Sequence, residues 1–270
     1  MKGMGRAYVY ISTLSIDVVA GAVAGGAFFA RLFDVILPLP VYVVLALTVW
    51  IVYTLDHLRD ARRIQGRAAT VRHAFHQTHF KGISIAVALV AGLNVCLIWF
   101  LRDRVLLPGT ALGAVVVLYL VFQHRLRFLK EVIVAALYTA GILLPVYAFG
   151  HPDPSALQGI VIVKYFITAL MNLLLFSLFD FEKDTRQGQE SFVTWFGPRQ
   201  TTITIIILGA LNIVTGYWLW SSLPVVAIMF VAMNLSLLAV LMLRRRFAVN
   251  DLYRMLGDAV FYLPGVVLWL

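Results

Sequence analysis

Between Arg199 and Arg244 the chain runs for 44 residues without one charged side chain. A bilayer-spanning helix takes about 20 apolar residues, so this run holds two spans, broken at Ser221-Ser-Leu-Pro224. The remainder is built alike. Of 270 residues, 61% are hydrophobic and 13% charged, and mean hydropathy is +0.90. An average soluble domain has about twice that charged share, and a soluble surface carrying this much apolar side chain would aggregate. The composition excludes a soluble enzyme, disorder, a coiled coil and a disulfide scaffold, the last because Cys96 stands alone. The chain is an all-α polytopic membrane protein.

Apolar runs and their punctuation predict nine helices, at 8–33, 39–57, 82–101, 105–123, 129–149, 158–179, 201–220, 223–243 and 255–270, in a single domain over 1–270. The first is read as a retained helix rather than a cleaved signal, since no convincing cleavage site follows it. Alternate loops then sort the charge. Lys2 and Arg6, the loop from Arg59 to Lys81, the loop with Arg125, Arg127 and Lys130, that with Lys183, Arg186 and Arg199, and that with Arg244 to Arg246 and Arg254 hold 18 of the 22 basic residues. Arg31, Arg102 and Arg104 lie on the other side, and Lys164 falls within a span. By the positive-inside rule the N-terminus and the basic loops are cytoplasmic and the C-terminus is opposite. The net charge of +9 is therefore a topology signal, and no nucleic-acid partner is expected.

Two acidic motifs close spans on the basic side: Thr54-Leu-Asp-His-Leu-Arg-Asp60 after the second and Phe179-Asp-Phe-Glu-Lys-Asp184 after the sixth. In each, two aspartates stand at i and i+4, Asp56 with Asp60 and Asp180 with Asp184, on one helix face. Like charges at that spacing repel by a few tenths of a kcal/mol, which a divalent cation would offset. Four spans separate the motifs, so both face the same side, as in a diverged repeat with two acidic lips on one central cavity. Mg²⁺ prefers a few carboxylates together with substrate phosphates, and paired aspartates suit a diphosphate held through that ion. Around them Arg63, Arg72, His73, His76, Lys130, Lys183 and Arg186 supply donors for an anionic group. The same loop also reads as a lipid-headgroup surface, and His73 with His76 as a metal pair. Asp17, Lys164 and Asp258 are costly in lipid and face the bundle interior. Asn172, two turns before Asp180, reads either as a cavity residue or as an interhelical hydrogen bond. The stretch Gly21 to Ala27 reads as small-residue packing, and Tyr138, Phe166, Phe176 and Tyr217 as lining for an apolar tunnel.

At these residues the chain resembles the UbiA superfamily of intramembrane prenyltransferases, whose nine helices carry Asp-rich motifs after the second and sixth. The last two aspartates of the first motif, N-D-x-x-D-x-x-x-D, match Asp56 and Asp60, and those of the second, D-x-x-D-x-x-x-D, match Asp180 and Asp184. Val52 and Tyr53 replace the leading Asn-Asp, and Ser177 the leading Asp, while Lys130 matches the basic residue before the fifth helix. The family's basic-Pro segment after its first motif is replaced by Arg72-His73-x-Phe75-His76. The likeness spans the chain in topology and is specific over the two motifs. It implies Mg²⁺-assisted transfer of a prenyl group from a polyprenyl diphosphate to a lipophilic acceptor. The metal would lie on Asp56, Asp60, Asp180 and Asp184, and Arg63, Arg72, Lys130, Lys183 and His76 would face the leaving group. Two other readings remain open: a catalytically degenerate isoprenoid or lipid binder or assembly partner, and a transporter using Asp17, Lys164 and Asp258.

Overall fold

The computed structural model describes residues 10–63, 71–150, 153–186 and 188–268, and all the regular structure among them is helical. The elements are α1 (Ile16–Leu32), α2 (Leu39–Arg63), α3 (Val71–Thr78), α4 (Phe80–Phe100), α5 (Arg102–Phe122), α6 (Lys130–Gly150), α7 (Ala156–Arg186), α8 (Phe192–Val214), α9 (Pro224–Met242), α10 (Leu252–Ala259) and α11 (Leu263–Val267). Seven described helices, α2 and α4 to α9, are long and apolar enough to cross a bilayer. The fold is thus a polytopic membrane bundle.

The structure differs from nine uniform spans at the two ends. α1 has 17 residues and starts after Ser15, which takes a left-handed conformation (φ 57°). The expected span at 255–270 is broken into α10, a 3₁₀ turn at Val260–Tyr262 and α11. Pro264 sits in the first turn of α11, where its missing N–H is tolerated but where it cannot continue a preceding ladder. In the middle, α2 and α7 outrun their expected ends at 57 and 179, so both acidic motifs are helical. The expected span at 201–220 starts earlier, at Phe192, bends at Gly197 (φ 82°) before Pro198, and ends at Val214.

Helices neighbouring in sequence pack side by side from α1 through α2, α4, α5, α6, α7, α8 and α9. α10 and α11 pack between α9 and α1 and close the ring, and α1 also lies against α6. α7 is the most buried of the long helices and α5 the most lipid-facing. On α1, close approach has an evident cause: a Cβ at Gly21 would press on Phe261, one at Gly25 on Tyr165, and one at Gly26 on Leu45. Small residues thus let backbones meet where lipid gives no hydrophobic drive to association. Lys164 is fully buried and bonds the Asn212 carbonyl and Thr215 Oγ1, while Asn212 Nδ2 donates to the Lys164 carbonyl and Thr168 Oγ1, both at 3.0 Å. That network staples α7 to α8.

Candidate active site

Both acidic motifs open onto one cavity of about 440 Å³. The C-terminal half of α2 brings Asp56, His57 and Asp60 to it, and that of α7 brings Asn172, Phe176, Ser177, Asp180, Lys183 and Asp184. α3 contributes Arg72, α6 contributes Lys130, Glu131 and Tyr138, and α10 contributes Arg254 and Asp258. The inner wall is apolar and aromatic, with Val134, Tyr138, Leu173, Phe176 and Phe261. Behind it Tyr165 stacks on Tyr138 (6.3 Å between ring centroids) and meets Phe261 edge-on.

On the first lip, Asp56 Oδ1 accepts from Gln123 Nε2 at 3.1 Å, and Gln123 Oε1 accepts from Tyr119 Oη at 3.1 Å. Its partner there is a neutral amide. The second lip is different. Asp180 Oδ1 accepts from Tyr253 Oη (2.9 Å) and Lys183 Nζ (3.2 Å), and Oδ2 is bonded by Arg254. Lys183 also lies 3.6 Å from Asp251. Burial, the largest influence, works against the charge on Arg254, but Asp180, Tyr253 and Asp258 together more than offset it and hold its pKa above the ordinary guanidinium range. Arg72 is half-buried nearby. Burial and the neighbouring Arg254 lower its pKa, with Asp180 and Asp258 acting the other way. Glu131 Oε1 accepts the Phe192 N–H at 3.0 Å, which caps the first turn of α8 with a carboxylate.

The geometry brings together Asp56, Asp60, Asp180, Asp184, Arg72, Lys130, Asn172, Ser177 and Lys183, all expected as site residues. It sends two others elsewhere. Arg186 is exposed and pairs with Glu182 at 3.2 Å, because i+4 places them on the outer face of α7. His76 is buried, lines a second cavity of about 300 Å³ with Trp50, Thr54, Phe75 and His79, and packs its ring against His57 at 5.2 Å. The side chains of Arg63 and His73 lie outside the described residues. Phe166 lines neither cavity, and Tyr217 faces outward, 81% exposed. Sequence reasoning did not single out Tyr53, Tyr119, Glu131, Tyr253 or Arg254. The single prior signal for Arg254 was its place in a basic loop, four residues before the intramembrane Asp258.

Among the described residues, nine carboxylates line the cavity (Asp17, Asp56, Asp60, Glu131, Asp180, Asp184, Glu190, Asp251 and Asp258) against the four cations Arg72, Lys130, Lys183 and Arg254. An anion as dense as a diphosphate enters such a site only with divalent cations beside it. Among the described residues, no three carboxylates or imidazoles are gathered as a preformed metal cage. The donor set therefore fits Mg²⁺ held by one or two carboxylates together with phosphate oxygens, as that ion prefers.

No protein-family model and no curated protein matches the chain. Solved structures do. An apo UbiA homologue from Aeropyrum pernix K1 superposes with a TM-score of 0.70 at 15% identity, over 95% of this chain and 99% of that one. A UbiA homologue from Archaeoglobus fulgidus, bound to DMAPP and Mg²⁺, gives 0.65 at 12% identity, over 97% and 99%. The same homologue bound to GPP and Mg²⁺ gives 0.66 at 12% identity over the same shares. At such identities the likeness is one of architecture, and it agrees with the two motifs: this chain has the UbiA fold.

Proposed function

We propose that the chain is an intramembrane prenyltransferase that moves a prenyl group from a polyprenyl diphosphate to a lipophilic acceptor. The observation that carries this is the single cavity in which two acidic lips and four cations stand above an aromatic, apolar wall, a polar head site continuous with a hydrocarbon site. The homologue with DMAPP or GPP and Mg²⁺ supports it, since both ligands are prenyl diphosphates. The site opens to the cytoplasm of a bacterial-type inner membrane, as the distribution of basic residues implies.

In this reading a Mg²⁺ ion on Asp56 and Asp60 would neutralise diphosphate charge and stabilise the leaving oxygen. Gln123 and Tyr119 orient Asp56 for that role. Arg72, Lys130, Lys183 and Arg254 take the phosphate oxygens through charge-assisted hydrogen bonds. When the C1–O bond breaks, its electron pair stays with the diphosphate and an allylic cation remains. Tyr138 and Phe261 present aromatic rings to that cation, and the apolar wall keeps water from quenching it. The acceptor's nucleophilic atom then bonds to C1, and the proton it loses passes to the released diphosphate.

The test is diphosphate release from labelled GPP by the purified protein with Mg²⁺ and a membrane-lipid extract as acceptor source. Asp56→Ala should lower the rate by about 10²-fold or more, the usual size of losing a group that stabilises developing charge. Release that survives in both Asp56→Ala and Asp180→Ala would sink the reading, and binding without turnover in the unaltered protein would favour a degenerate isoprenoid binder.

A further inference from the structure

We propose that Arg254 is the resident counter-charge of the second acidic lip, so that a diphosphate is taken up with one divalent cation, on the Asp56–Asp60 side, and a guanidinium opposite it. The inference rests on the transferase reading and narrows it. It departs from the resemblance, which assigns a metal to Asp180 and Asp184 as well.

Both oxygens of Asp180 are engaged, Oδ1 by Tyr253 Oη and Lys183 Nζ and Oδ2 by Arg254. A metal ion at Asp180 would have to expel a guanidinium and then sit beside two cations. Arg254 is also not a loose surface arginine that a metal would simply displace. Its Nε donates to Tyr253 Oη at 3.1 Å, and its guanidinium lies 5.1 Å from the Phe176 ring centroid and 5.3 Å from that of Tyr253. Tyr253 is fixed in turn by flat stacking on Phe179, at 4.3 Å and 2° between planes. α10 reaches this position because residue 257 is glycine: a Cβ there would collide with Asn172 Oδ1 and the Phe176 ring. Nε and Nη2 are committed to Tyr253 and Asp180, which leaves the Nη1 N–H groups to donate to a phosphate oxygen. The first lip has no such arrangement on Asp56, whose partner is the Gln123 amide. Asp56 and Asp180, alike in motif position, therefore differ in setting: Asp56 meets a neutral amide, and Asp180 holds a guanidinium and an ammonium.

The experiment counts Mn²⁺ by electron paramagnetic resonance on detergent-purified protein at saturating inorganic diphosphate. The unaltered protein should take up one Mn²⁺, and the logarithm of its diphosphate affinity should rise with log[Mn²⁺] at a slope of about one, by linkage. Arg254→Gln releases Asp180 and should take up two, at a slope of about two, whereas Arg254→Lys should keep one. Two Mn²⁺ in the unaltered protein would overturn the proposal while leaving the transferase reading intact. So would an Arg254→Gln protein that stays folded, still binds one and loses affinity that Mn²⁺ does not restore. No diphosphate binding by the unaltered protein at any Mn²⁺ level would overturn the transferase reading and this proposal with it.

Discussion

Gln123 shows how much of the site depends on residues that bear no charge. It joins Tyr119 to Asp56 across the gap between α5 and α2, and it is buried. A hydrogen bond to a charged group contributes about 1.5–3 kcal/mol, so Gln123→Ala should raise the Mg²⁺ concentration needed for half-maximal diphosphate binding by about tenfold, read by calorimetry, with little change in melting temperature. His76 is one pH-sensitive residue, outside the spanning helices. Burial, the largest cause, pushes its pKa below 6.5; the Arg72 side chain lowers it further, and the hydrogen bond to the Arg72 carbonyl opposes both. The folded protein therefore holds His76 neutral where the unfolded chain would already bind a proton. Stability from this residue is complete above about pH 6.5 and is lost as pH falls toward the folded value. The melting temperature in detergent should drop between about pH 7 and 5, and His76→Gln should flatten that drop. The aspartates were legible because repetition at i, i+4 in two places is a rare pattern in so uncharged a chain. His76 was misread because a histidine in a basic loop looks like an anion donor, and the sequence does not reveal that its ring is turned toward His57.

Helices α7 and α10 meet through a contact that one atom decides. Gly257→Ala should push α10 off Asn172 and Phe176 and loosen Arg254 from Asp180. The measurable outcome is a lower melting temperature, by the amount typical of overpacking, about 1–3 kcal/mol, together with an Mn²⁺ count that moves toward the Arg254→Gln result. α7 is also stapled to α8 by Lys164, whose amine and the Asn212 amide exchange bonds with each other's backbone carbonyls. Lys164→Ala should cost stability without changing diphosphate affinity, since Lys164 does not line the cavity. An effect on affinity would revive the transporter reading. Helix existence was legible from apolar length alone. Helix ends were not. α2 and α7 continue past the apolar run because nothing in Asp-His-Leu-Arg-Asp or Asp-Phe-Glu-Lys-Asp breaks a helix, whereas the last span breaks where a glycine and a proline serve packing that hydropathy cannot register.

For the whole molecule, the basic residues predict one cytoplasmic face and the ring of helices brings both acidic lips to one cavity. These two statements are independent. They can be joined by cysteine labelling in a Cys96→Ala background, since Cys96 is the single cysteine and lies exposed on the lipid-facing α4. Arg245→Cys should react with an impermeant maleimide only in inside-out vesicles, and Asp153→Cys only in right-side-out ones. Labelling of both from one side would overturn the orientation. The closed ring was not legible, because nothing in local pattern says that α10 and α11 return to α1.

That closure has a consequence for how the protein is made. Arg254, Asp258 and Phe261 reach the cavity from the segment that packs against α1, the helix synthesised long before it. Until that segment leaves the ribosome and inserts, Gly21 of α1 lacks the close contact with Phe261 that the folded bundle gives it. The nascent chain therefore has Asp180 before it has Arg254, and the translocon or a membrane chaperone is where such an intermediate would have to be held.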